Sequence, residues 1–157
     1  MRPYLDKSAP DVWKAATAYS AAVAKHADSG GLSVQEGELM KVRVSQLNAC
    51  TFCLDMHSRE ARVAGIPQQK LDLLPSWRET SLFTEREAAV LAVAEATTRM
   101  PLSEDAKADL AGARAVLGDA AFGAAEWVSV TINTFNRISI LSEHPVRPRG
   151  EDGQLLR

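Results

Sequence analysis

Residues 33–67, SVQEGELMKVRVSQLNACTFCLDMHSREARVAGIP, spell two helices and the reversal between them. Ser33, followed three positions later by Glu36, forms a capping box in which each side chain takes up a backbone N–H at the start of the helix. The helix it opens runs to Leu47. Asn48 can end that helix and cap the next, which spans residues 49–64 and stops at Gly65 with Pro67 beyond. So short a connection makes residues 34–64 an antiparallel helix hairpin.

The second helix carries the reactive side chains. Successive helical residues turn by about 100°, so Cys50, Cys53 and His57 fall within an arc of roughly 60°. Ala61 and Ala64 continue that face, and Asp55, Arg59 and Arg62 gather on the far side, where water can solvate them. The reactive groups therefore point inward. Thiols at i and i+3 are close enough to form a disulfide. Cys50 is expected near the second helical position, where free N–H groups favour thiolate over thiol. Cys53 and His57 are i,i+4 neighbours, so the imidazole can take the thiol proton. Glu38 lies ten residues before the reversal and His57 nine after it, at nearly the same height in a hairpin. In one continuous helix Glu38 would stand about 18 Å from Cys50.

The rest of the chain adds helices and no hairpin of strands. An alanine-rich stretch over residues 11–26 places Val12, Trp13, Ala16, Tyr19 and Val23 at helical spacing and ends at Gly30-Gly31. Residues 68–83, with Pro75 and Trp77, read as short surface turns of helix. Thr84 and Glu87 make a second capping box for a helix to Met100, Pro101 breaks it, and Ser103 opens another that ends at Gly118. Asp119 is expected to cap the last. There Val128, Val130 and Ile132 alternate like a strand, but more than twenty residues without Gly or Pro after Gly123 favour a long helix. Residues 1–144 form one domain, followed by a Pro-, Gly- and charge-rich tail, 145–157.

With 157 residues, 46% of them apolar, the chain can bury one core. A net charge of -2 with both signs mixed offers no surface to nucleic acid or anionic lipid. Charges at Asp6, Lys7, Asp11 and Lys14 interrupt any leader, and no run of about 18 apolar residues suggests a membrane span. A cytoplasmic location is expected. Two cysteines three residues apart suit redox or metal chemistry better than a secreted disulfide scaffold.

Glu38, eleven residues, Cys50-x-x-Cys53, three residues and His57, set in LMKVRVSQLNACTFCLDMHSREARVAGI, resemble the AhpD-like alkylhydroperoxidase branch of the carboxymuconolactone decarboxylase superfamily. The similarity continues through LPSWRETSLFTERE to Asn136-Arg137. The resemblance implies an all-α, AhpD-like helical bundle, assembly as a homo-oligomer (trimer or hexamer), and thiol reduction of hydroperoxides with an external dithiol restoring the pair. It also implies that Cys53 attacks peroxide, Cys50 resolves, and Glu38 and His57 relay the proton. In the best-known peroxidase branch a His precedes the second Cys; here Phe52 stands there. The decarboxylase branch does not share the cysteine pair.

No cofactor or metal is expected. Zinc would need a fourth ligand, available only as Glu38 or a distant His, and three ligands on one short helix suit a tetrahedron poorly. A lone Glu38 beside Ser45 would by default be a solvated surface carboxylate, and Glu36 a cap. His26 and His144 need no functional reading, and Arg137 is explained by the helix dipole. Trp13, Trp77 and Trp127 suit core or subunit-interface anchors.

Overall fold

The structure, a computed structural model, describes residues 2–150 and 153–156. Among them the fold is all-α. Seven helices are assigned: α1 Leu5–Ser8, α2 Pro10–Ser29, α3 Val34–Leu47, α4 Thr51–Val63, α5 Gln68–Leu73, α6 Glu85–Thr98 and α7 Glu104–Leu141, with a 3-10 segment Leu74–Glu79 after α5. The capping boxes at Ser33/Glu36 and Thr84/Glu87 both form.

α6 is the centre of the bundle. Every residue from 89 to 96 is buried, as expected of a helix apolar on all sides, and α6 packs against α7 and α3. α3 divides the core in two. Met40 and Val44 join Val23 of α2, Val90 and Val93 of α6, and Ala124, Val128 and Ile132 of α7. Leu39 and Val42 face the other way, onto Ala61 of α4, Leu71, Leu74, Trp77 and Leu91. Each set shares one stripe of α3, so the hairpin is held from both sides.

Val128, Val130 and Ile132 lie in helix, as their long uninterrupted stretch requires. Helical geometry breaks at Gly118 (φ 74°), so α7 is two helical segments joined at that glycine. Asp119 pairs with Arg114 at 2.6 Å. By length and composition α7 holds a window apolar enough to cross a membrane, with mean hydropathy 1.2; here much of that face lies in the core.

Two expectations are corrected. Residues 68–83 are not merely surface turns, because Leu71, Leu74, Trp77 and Phe83 are buried. Nor are Asp55 and Arg59 left open to water; both are half-buried, and only Arg62 is exposed. The cause is the tail. It folds back through an Arg149–Leu155 antiparallel bridge, bringing Arg149 within 3.5 Å of Asp55.

Candidate active site

The hairpin reverses through Asn48, Ala49 and Cys50. Ala49 adopts φ 53°, which turns the chain and lets the Cys50 N–H return to the Ser45 carbonyl at 3.0 Å. Asn48 ends α3 but does not cap α4. Its side-chain amide instead donates to Asn133 and Asn136 of α7, each at 2.9 Å, and Asn136 donates to Ser45 Oγ at 3.1 Å. This buried amide network fixes the reversal to the longest helix.

Cys50 itself is the N-cap of α4, two steps before the second helical position expected from sequence. The difference follows from Ala49, whose left-handed backbone belongs to the turn. At the cap, Cys50 Sγ accepts the Cys53 N–H at 3.4 Å. The two cysteines are joined in a disulfide across a Cα–Cα distance of 5.4 Å. Both are 2% exposed. His57 follows one turn later on the same buried face.

Glu38 completes the group. Its Oε2 lies 3.0 Å from His57 Nδ1 and its Oε1 accepts from Lys41 at 2.7 Å. Burial pushes the Glu38 pKa up, but the hydrogen bond from His57 and the charge and hydrogen bond of Lys41 outweigh it, leaving the carboxyl below its ordinary value. An ionised Glu38 can only accept, so the imidazole Nδ1–H donates to it, which fixes the orientation of the ring. Far from being solvated, Glu38 is 5% exposed.

Sequence reasoning missed Lys41 and Glu60. Each stands three residues from a site group, Lys41 from Glu38 and Glu60 from His57, a spacing that was available as a signal. Glu60 Oε2 lies 3.5 Å from His57 Nδ1. Donor atoms of Glu38, His57 and Glu60 come within 4.8 Å of one another, close enough to surround a cation. The Lys41 ammonium already holds Glu38, however, and its charge opposes a second positive ion there. The Phe52 ring meets the His144 ring, with centroids 5.2 Å apart.

Fold and site together define an all-α thiol protein built on a Cys-x-x-Cys helix hairpin. The sequence pattern of the carboxymuconolactone decarboxylase family matches residues 10–96, and the chain belongs to that family, in its AhpD-like branch. YdfG of Bacillus subtilis (strain 168), an uncharacterized protein, is 36% identical over 77 residues, 49% of this chain and 52% of YdfG. YnjA of Escherichia coli (strain K12), also uncharacterized, is 31% identical over 67 residues, 43% of this chain and 37% of YnjA. The match thus spans about half, or less, of these curated relatives. A crystal structure of ATU0492 from Agrobacterium tumefaciens superposes with TM-score 0.78 at 32% identity, covering 93% of this chain and 99% of that one. That protein is described as of unknown function, with a provisional assignment to antioxidant defence as AhpD.

Proposed function

We propose that the protein is a thiol-dependent peroxidase that reduces hydroperoxides through a Cys50–Cys53 disulfide cycle, with Glu38 and His57 relaying the proton. The observation that carries this reading is the buried Glu38–His57 pair, 3.0 Å apart, with His57 on the same face of α4 as a disulfide-forming cysteine pair. The Cys53 thiolate attacks the hydroperoxide, the O–O bond breaks, and Cys53 is left as a sulfenic acid. The departing alkoxide takes a proton from the His57 relay and leaves as an alcohol. Cys50 then attacks the sulfenic sulfur, water departs, and the disulfide closes. An external dithiol reopens it by exchange and is itself oxidised. The cycle calls on no metal or organic cofactor, suits a reducing cytoplasm, and operates in a homo-oligomer.

A second reading, a general thiol–disulfide oxidoreductase or redox sensor, draws on one observation. As N-cap, Cys50 receives a backbone N–H on its sulfur, which favours negative charge on Cys50 rather than on Cys53.

The test mixes reduced protein with one equivalent of cumene hydroperoxide and follows free thiol and intact mass. The peroxidase reading expects rapid loss of two hydrogens in the parent, sulfenic acid trapped in Cys50→Ser, and no reaction in Cys53→Ser. Thiols that stay reduced while dithiol exchange proceeds would establish the second reading instead.

A further inference from the structure

We propose that the side of α4 turned away from the cysteines holds a binding site for a small organic monoanion, a carboxylate on an apolar body. A cavity of about 420 Å³ lies there, within the range of small-molecule sites. Its floor is Phe52, Met56 and Arg59, which lie about 60–120° around α4 from Cys53. Its walls come from both ends of the chain. The Leu5 N–H donates to Ser142 Oγ at 2.9 Å, and Asp6 meets His144 Nε2 at 3.1 Å, holding α1 against the start of the tail. The tail closes the far side through the Arg149–Leu155 bridge.

The polar lining is out of balance. Among the described residues, Lys7, Arg59, Arg147 and Arg149 face two carboxylates, Asp6 and Asp55, in a chain whose overall charge is negative. Asp6 is taken by His144. Asp55 sits between two guanidinium groups without a hydrogen bond to either, 3.8 Å from Arg59 and 3.5 Å from Arg149. The Nε–H groups of Arg59 and Arg149 are buried and make no hydrogen bond among the described residues, although Arg149 Nε has Asp55 Oδ2 at 3.5 Å. Buried donors in a folded protein are nearly always satisfied, so Arg59 Nε–H, and Arg149 Nε–H beside its long contact with Asp55, call for an acceptor within the cavity. A carboxylate supplies two acceptor oxygens in the geometry guanidinium favours. Asp6 and Asp55 set the limit on charge, since a phosphate dianion would meet both. Phe52, Met56, Val146 and Leu155 supply the apolar wall for the rest of the ligand.

The site is distinct from the thiol pair, and its test reads binding alone. Calorimetric titration of the full-length protein with octanoate, octanol and octyl phosphate separates the chemistries. Octanoate is expected to bind once per chain, more tightly than either analogue. Its affinity should fall about tenfold or more in Arg59→Gln/Arg149→Gln, the effect of losing charged hydrogen bonds. Arg149→Gln alone, on a tail that lies outside both core clusters, gives the same reading if the double variant melts early. Octanol binding as well as octanoate, octyl phosphate binding better, unchanged affinity in the variants, or no heat from any ligand would overturn the proposal.

Discussion

At the scale of single residues, the site depends on what surrounds Glu38. Alone on α3 it would be one more surface carboxylate; His57 and Lys41 make it a buried, ionised anchor for the imidazole. Its pKa lies below the ordinary carboxylate value in the folded chain. The stability it contributes is therefore complete above the ordinary carboxylate range and lost as pH falls through the depressed value. Glu38→Gln should lower the urea midpoint at pH 7, with the gap to the parent closing as pH falls into that range. In the proposed reaction the same change should slow thiol oxidation by peroxide about 10²- to 10⁴-fold at neutral pH, the usual weight of a general-base relay. A normal rate in Glu38→Gln would remove the carboxylate from the mechanism. Ala49 makes the complementary case. Its φ of 53° is a conformation glycine adopts freely and alanine only at a cost, so Ala49→Gly should stabilise the fold by about 1 kcal/mol in urea denaturation. A loss of stability there would mean that the alanine methyl matters more than the backbone.

At the scale of elements, α3 and α6 are joined through a buried ion pair at the boundary between the two core clusters. Arg43 donates to Glu95 Oε1 from Nε at 2.8 Å and from Nη2 at 2.6 Å, and the Trp77 indole N–H adds a third contact at 3.2 Å. Both partners are about 9% exposed, so removing one charge strands the other. Glu95→Gln should cost about 3 kcal/mol or more, read as a lower urea midpoint with unchanged slope. A cost below 1 kcal/mol would show that Arg43 finds other partners. The capping boxes at Ser33 and Thr84, the hairpin, the Gly118 break and the height match of Glu38 with His57 were all legible in sequence, because each is set by spacings along one or two adjacent helices. The Arg43–Glu95 pair was not, since its members stand 52 residues apart and neither signals the other. The burial of Leu71, Leu74 and Trp77 was hidden for the same reason: a short mixed segment gains its inside face only once α3 and α6 are in place. The shift of Cys50 to the N-cap turned on Ala49, whose identity does not advertise a left-handed backbone.

At the scale of the whole molecule, the bundle leaves apolar surface that its own helices do not cover. Trp127, Val130 and Leu141 of α7 are 50%, 45% and 52% exposed, and their spacing places them along one side of that helix. Ala15, Ala18 and Ala22 of α2 form a second exposed row, small enough for another helix to approach closely. The aromatic contacts of Trp13 with Phe135 (5.8 Å) and Tyr19 with Trp127 (6.1 Å) join the two helices beside this surface. A lone exposed apolar residue needs no explanation, but several on one side of a helix, beside an exposed row of alanines, suit a contact surface. The proposed homo-oligomer gives it an occupant, because a second copy brings the same apolar stripe and needs no unrelated partner. Trp127→Glu with Val130→Glu would place two charges in that contact while touching neither the thiols nor the Glu38–His57 pair. Light scattering after size exclusion should then find the parent as an oligomer and the variant as a single chain with the same helical circular dichroism. If the parent already runs as one chain at micromolar concentration, self-association does not cover the stripe; if the variant assembles normally, the contact lies on another face.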